Sequence, residues 1–494
     1  METADQKPTY EELLAQNTTL QLEVFQLKEK LSLFERLLFG QKRERFVPQG
    51  DNRQLDLGLA AGKKEPLPEP TEQIHYTRRK QSKSQTPPIR QPLPPHLPRK
   101  DIVIEPQEDV SGMKMIGEEI TEELEYEPGK FYVNRYIRPK YARPDEEGVV
   151  IGQLPSRPIE KGIPGTGLLS HILISKFVDH LPLYRQRKQF KRLGVDIPDS
   201  TLVGWVKAGY ELLMPLYEVH LYRVLNKDYL MIDETPIEVL EDNLPGKSHS
   251  GYFWVYYDPL EWQVYFDYQP NRGRDGPSEL LSTFQGYLQS DGYNVYDDIS
   301  SRKGIIGVGC FAHARRYFDQ AKESDPVRSE WMLLAIQQLY RIERQAREEG
   351  MSFQERYRLR QERSQPILNT IKKWLDQECL QVLPKSLMGK AIGYILNQWP
   401  KLQNYLLDGR LEIDNNLVEN AIRPVALGRK NYLFAGSHEG AKRAALIYSL
   451  VATAKLHEVE PFEYLKDIIG RISDYPYQQI TDLLPANWKI KFKK

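Results

Sequence analysis

The chain has 494 residues, 40% of them hydrophobic, which allows several domains with genuine cores. Lys plus Arg and Asp plus Glu number 68 each, so any affinity for nucleic acid must come from local patches rather than net charge. No apolar run is long enough to span a membrane, the polar N-terminus lacks a signal peptide, and the two cysteines, Cys310 and Cys379, suit a reducing cytosol; a cytoplasmic protein without a membrane partner is expected. There is no phosphate-cradling Gly-rich loop, so nucleotide hydrolysis is not indicated.

In residues 1–46, Leu13, Leu20, Leu27 and Phe34 recur every seven residues. Val24, Leu31 and Leu38 lie between them and Asn17 shares their register. This seam predicts an N-terminal coiled coil, hence a homodimer or higher oligomer, although a helix docked on its own chain would use the same pattern. Residues 47–100 are crowded with Pro, Gln and Lys and read as a disordered linker with a basic second half. Residues 101–150 read as a small β-rich module, with Glu123 to Tyr126 and Phe131 to Tyr141 as its clearest strands.

Residues 151–225 read as a helical region with a helix-turn-helix-like centre. Leu183 to Leu193 is a basic helix carrying Arg185, Arg187, Lys188, Lys191 and Arg192; Gly194 to Pro198 is a turn. Asp199 or Ser200 is expected to cap a second helix through Leu202, Trp205 and Val206. A plain helical hairpin has the same outline, but the five basic residues favour DNA.

From residue 226 the pattern changes to strands. Tyr229 to Leu240 is an apolar strand interrupted by Asp233 and Glu234. Tyr252 to Tyr257 and Trp262 to Tyr268 complete a meander. A helix follows, then a short strand ending at Asp291, a helix, a strand from Ile305 to Cys310, and a helix from about Ala312 with His313, Arg315 and Arg316. Asp291 and Glu419 are separated by more than twice the distance between Asp233 and Asp291. The excess, 325–405, has Trp331, Leu333, Leu334, Ile336, Leu339 and Tyr340 at helical spacing and reads as an all-helical insertion. Its Arg356, Arg358, Arg360 and Arg363, interleaved with Glu355 and Glu362, read as a solvated mixed-charge face rather than a DNA grip. After it, Asp414 is placed to cap a helix with Glu419 one turn in and Arg423 four residues further on.

This order is ribonuclease-H-like: an α/β catalytic core split into 226–324 and 406–460 around the insertion, followed by a tail, 461–494. In that layout Asp233, Asp291 and Glu419 converge at one sheet edge. Three such carboxylates repel one another unless cations neutralise them, and oxygen ligands of this kind favour Mg²⁺ or Mn²⁺. A pair of ions there suits phosphodiester cleavage and strand joining. His313, Arg315, Arg423, Arg429 and Lys430 are candidates for nearby phosphates, or equally for local pairing. Trp254 and Tyr293 read first as core or rim aromatics and second as platforms for an unpaired base. Glu234 is the weaker ligand candidate, because it points to the opposite strand face from Asp233.

The stretches Ile232-Asp233-Glu234-Thr235-Pro236, Ser290-Asp291-Gly292-Tyr293, Cys310-Phe311-Ala312-His313-Ala314-Arg315-Arg316, Ile413-Asp414-Asn415-Asn416 with Glu419, and Gly428 to Ser437 together resemble transposases of the insertion sequence 66 family. The resemblance implies a bacterial DDE-type recombinase with Asp233, Asp291 and Glu419 as metal ligands, Mg-dependent, nucleoid-associated when bound to DNA. Its expected partners are double-stranded DNA, as the element's terminal inverted repeats and a target, and accessory proteins of the same element. The family commonly binds zinc through Cys pairs near Ile104 to Glu108 and Ala142 to Asp145. This chain has no Cys there, so no structural zinc is expected. Arg135, Arg138 and Lys140 remain for phosphates in that module. Two other readings stand beside this one: a catalytically silent DNA-binding regulator and a non-transposing ribonuclease-H-like nuclease.

Overall fold

The computed structural model describes residues 129–134, 136–137, 140–142, 149–151, 156–160, 162–240 and 247–492. The expected coiled coil of 1–46, the linker of 47–100 and most of the module of 101–150 lie outside the described residues. Within that module, strands β1 (Lys140–Ala142) and β2 (Val149–Ile151) pair antiparallel.

Helices α1 (Thr166–Phe177), α2 (Leu183–Arg192) and α3 (Asp199–Leu225) follow. Gly194 between α2 and α3 has φ +84°, a conformation that glycine adopts without strain. The expected cap is corrected: Pro198 occupies the N-cap position and Asp199 is the first helical residue, its carboxylate 3.3 Å from Arg187. Helix α3 also runs far past Val206, because Leu202, Val206, Gly209, Leu213, Leu216, His220 and Val224 recur every three or four residues and are all buried. This region is not walled off from the sheet. Leu169, Leu173, Trp205 and Leu213 belong to the same apolar cluster as strand residues Met231 and Val255.

The next elements come in the order the sequence predicts: β3 (Tyr229–Leu240), β4 (Ser248–Asp258), β5 (Gln263–Gln269), α4 (Asp275–Leu280), β6 (Gly286–Gln289), α5 (Asn294–Ser300), β7 (Ile305–Val308) and α6 (Phe311–Gln320). The sheet order is β5-β4-β3-β6-β7; the first three strands are antiparallel, and β6 and β7 run parallel to β3. Central β3 is covered on both faces. Tyr229, Met231, Ile237 and Val239 enter the large cluster, while Leu230 and Ile232 enter a second one with Trp254, Leu288 and Tyr296. Trp254 is fully buried, which removes it as a base platform. Gly286, at φ +125°, lies so near the Asp228 carbonyl that any Cβ would collide with it.

Helices α7 (Pro326–Glu348), α8 (Phe353–Leu359), a π-helical turn (Arg360–Ser364), α9 (Gln365–Glu378) and α10 (Leu387–Leu402) fill the excess length before α11 (Asn416–Tyr432). Strand β8 (Phe434–Ala435) then pairs with the far end of β3, and α12 (His438–Leu456) covers edge strand β5. Its Thr453 and Ser449 hydroxyls accept from the β5 amides of Val264 and Phe266 at 3.1 and 2.8 Å, satisfying groups that an edge would leave open. The expected tail is folded through α13 (Pro461–Arg471) and α14 (Pro485–Phe492), with Tyr464, Ile468 and Trp488 in the main core.

The insertion corrects one expectation sharply. Arg356 and Arg360 are not on a solvated face; they are buried, one turn apart, around the buried Glu343 of α7. Arg356 also forks onto both Glu412 oxygens at 2.9 Å, and Arg360 donates to the carbonyls of Tyr405, Asp408 and Leu411. Arg358 and Arg363 are exposed, as expected. The Glu and Arg residues alternate in sequence, but helical spacing separates Arg356 and Arg360 from their neighbours.

Candidate functional site

The parallel register places two acids side by side. Met231 pairs with Gln289, so Asp233 and Asp291 each stand two residues past that shared rung, Asp233 within β3 and Asp291 just beyond the carboxyl end of its neighbour β6. The third acid arrives on α11. Asn415 Nδ2 donates to the Ile232 carbonyl at 3.0 Å, pinning the start of this helix to β3 beside Asp233. Asp414 accepts from the Asn416 amide at 3.1 Å and is buried, so it serves the turn into α11 rather than the acid cluster; Asn415 itself holds the N-cap position.

The charges of Asp291 and Glu419 raise the proton affinity of Asp233, and that of Asp291 raises Glu419 as well. Burial, then the charges of Glu234, Asp291 and Glu419, holds the Asp233 carboxyl well above the usual carboxylate range; a 2.9 Å bond from the Glu234 amide offsets this only in part. Burial likewise raises Asp291, against the Tyr293 amide at 2.9 Å and the charges of Arg272, Lys401 and Arg316. Glu419 is raised by burial, with Arg316 the main opposing charge, and its Oε1 is buried without a hydrogen-bond partner. Glu234 is turned away to Arg272 and the Tyr296 hydroxyl, on the face holding Trp254 and Tyr296. Oxygen donors that are buried, mutually repelling and partly unpartnered suit a hard divalent cation.

The expected phosphate contacts separate into two groups. His313 reaches the acids, its Nε2 3.7 Å from Glu419 Oε1, and burial pushes its pKa down to about 4, so the contact involves a neutral ring. Arg423 is exposed and its charge is felt at Glu419 four residues away. Lys430 is exposed on the last turn of α11. Arg315 is exposed and its charge is felt by Tyr340; the α6 arginine acting on the acids is Arg316, which sequence reasoning missed. Its spacing of three from His313 was the available signal. Arg429 donates to the Pro236 carbonyl and so braces α11 against β3. On α2, Arg187 pairs with Asp196 at 3.4 Å and Asp199 at 3.3 Å, and Lys191 lies 3.6 Å from Asp196. Arg185, Lys188 and Arg192 are exposed, the first two leaning on the Tyr184 ring. Tyr293 sits at the rim with Arg272 4.0 Å over its ring.

Comparison with known proteins adds what geometry cannot. Residues 161–443 match the family model described as Transposase IS66 family, and 449–486 match the IS66 C-terminal element. Residues 26–102 match the model described as Transposase C of IS166 homeodomain. Residues 108–142 match the zinc-finger binding domain of transposase IS66. This last match overturns the expectation of no structural zinc. Missing cysteines exclude a thiolate set; carboxylates are the zinc-binding side chains that 108–142 contains. Two similar relatives come from Sinorhizobium fredii: uncharacterized protein y4hP, 32% identical over 94% of this chain and 88% of its own, and uncharacterized protein y4qI, 35% identical over 80% and 76%. No helix among the described residues is long and apolar enough to cross a membrane.

Proposed function

Because the chain belongs to the IS66 family of transposases, we propose that it is a DDE-type enzyme with a ribonuclease-H-like core, cutting and joining DNA at the terminal inverted repeats of an insertion sequence. The observation that supports this reading is the nearness of Asp291 and Glu419 to Asp233 on central β3, all three carboxyls being held above the usual range by burial. These three carboxylates would hold a pair of Mg²⁺ or Mn²⁺ ions. Such ions supply activation of a water or a 3′-hydroxyl and stabilisation of the leaving oxygen in an in-line displacement.

The chain's own side chains set the stage for that chemistry. Asn415 and Arg429 hold α11 at β3, fixing the approach of Glu419. Arg316 balances the acids from α6, and neutral His313 steers the Glu419 carboxylate from the same helix. Exposed Arg423 and Lys430 face incoming phosphates, while Arg185, Lys188 and Arg192 of α2 extend the backbone contact outward. Self-association through the N-terminal heptads would bring two element ends together, with accessory proteins of the same element assisting.

The test is cleavage and strand transfer on labelled inverted-repeat DNA in Mg²⁺, for the native chain and for Asp233→Asn, Asp291→Asn and Glu419→Gln. We expect each variant to lose activity at least about a thousandfold while still binding DNA. Activity surviving Glu419→Gln would remove the third ligand. Cleavage without joining would favour a nuclease, and binding of the ends without cleavage a silent regulator.

A further inference from the structure

We propose that Cys310, His313 and Glu419 form a second metal site, of the thiolate–imidazole–carboxylate kind that takes Zn²⁺, and that filling it withdraws Glu419 from the acidic cluster.

Cys310 is the N-cap residue of α6 and His313 lies one turn in, so both face the start of α11. His313 Nδ1 is 3.2 Å from Cys310 Sγ, and its Nε2 is 3.7 Å from Glu419 Oε1. One ligand atom from each of the three residues lies within 4.8 Å of the others. Ligands on a tetrahedral zinc stand about 3.5 Å apart, and since Nδ1 faces the sulfur while Nε2 faces Glu419, the His313 ring or the Glu419 carboxylate turns so that one ring nitrogen serves the ion. Two further features prepare it. Glu419 Oε1 is buried with no hydrogen-bond partner, and the Asn415 amide already points at Cys310 Sγ from 3.3 Å, a donor that steadies a thiolate once formed.

The site has a floor and an entrance. Cys310 is buried, while the His313 and Glu419 side chains keep 17% and 25% of their surface exposed, which gives an ion a way in. Three protein ligands leave the fourth position for water. The thiol proton is released to solvent on binding, so affinity rises with pH. Sulfur and imidazole select zinc over magnesium, whereas Asp233 and Asp291 offer only oxygen. Glu419 is common to both donor sets and cannot complete both at once. The inhibitory half of the proposal rests on the reading of Glu419 as third acid; the binding half does not.

Titration of the full chain with Co²⁺, a spectroscopic stand-in for zinc, reads the site directly through thiolate-to-cobalt absorption. The segment 108–142 contains no cysteine, so metal bound there is silent in this band. The absorption is expected in the native chain and in Cys379→Ser, and absent from Cys310→Ser. His313→Ala and Glu419→Gln should each weaken cobalt binding about tenfold or more, and they decide the matter if Cys310→Ser does not fold. No absorption in the native chain, survival of the band in Cys310→Ser, or undiminished affinity in both other variants overturns the site. Zn²⁺ added to saturation should then suppress Mg²⁺-dependent cleavage; unchanged cleavage overturns the inhibitory half. A native chain that never cleaves counts against the proposed function, while the cobalt band alone decides the site.

Discussion

Burial and three neighbouring acids hold the Asp233 carboxyl well above the usual carboxylate range, which makes its ionisation a cost to the metal-free fold. The protonated form is favoured in the folded state. The stabilising contribution is therefore present at low pH and is lost as pH rises from the unfolded carboxylate value toward the raised folded one. At neutral pH without divalent cations, Asp233→Asn should raise the melting temperature by about 2 °C or more, since the amide carries no charge to bury. Added Mg²⁺ should stabilise the native chain and do much less for this variant. Thermal melts with and without chelator check both. A variant less stable than the native chain in chelator would mean that the carboxylate is paired rather than strained. Glu234, the adjacent acid, is also raised by burial, but Tyr296 and Arg272 bind it on the other face and oppose the rise.

The helical insertion makes its sharpest commitment at α7, the π turn and the loop before α11. Arg360 is fully buried and serves both Glu343 oxygens and three carbonyls, including that of Leu411 just ahead of α11. Tyr229 of β3 joins the same loop by accepting from the Glu412 amide at 2.9 Å. Removing one partner of a buried ion pair typically costs about 3–5 kcal/mol, so Arg360→Ala should lose that much stability in denaturant unfolding. Pairing it with Glu343→Leu should recover only part, because the carbonyls of Tyr405, Asp408 and Leu411 stay unpaired. Full recovery would reduce the network to a simple ion pair. This is also where the sequence was hardest to read. Strands were legible because Tyr229 to Ile232 and Tyr252 to Tyr257 are apolar runs, and the acids stood out by interrupting them. Arg356 and Arg360 carry no such mark: their partners Glu343 and Glu412 lie on other elements, and only the folded chain shows that they are inside. The length of α3 is hidden for a related reason, since its periodicity continues past Val206 on a face that mixes Gly209 and His220 with leucines.

Across the whole molecule the charges cancel, and the fold decides which of them remain available to DNA. Within α2, Arg187 and Lys191 face Asp196, and Arg187 also faces Asp199. Arg429, in the last turn of α11, is engaged with a backbone carbonyl. That leaves Arg185, Lys188 and Arg192 exposed on a helix whose apolar side, through Phe190, enters the core shared with the sheet. A cation held to a carboxylate releases fewer counterions on meeting a phosphate than one standing in water, because it is already neutralised. Each phosphate contact contributes a slope of roughly 0.9 to the fall of log affinity with log salt. If all three exposed residues touch backbone, replacing them with Ala should lower the slope for inverted-repeat DNA by about 3, while Arg187→Ala should lower it by less than about 0.5. Mg²⁺-free binding measured over a salt series separates the cases, because it reads the contacts without the chemistry. An unchanged slope in the triple variant would take α2 out of the interface. The load would then fall on Arg423, whose charge reaches Glu419, on Lys430 at the far end of α11, or on residues before 129.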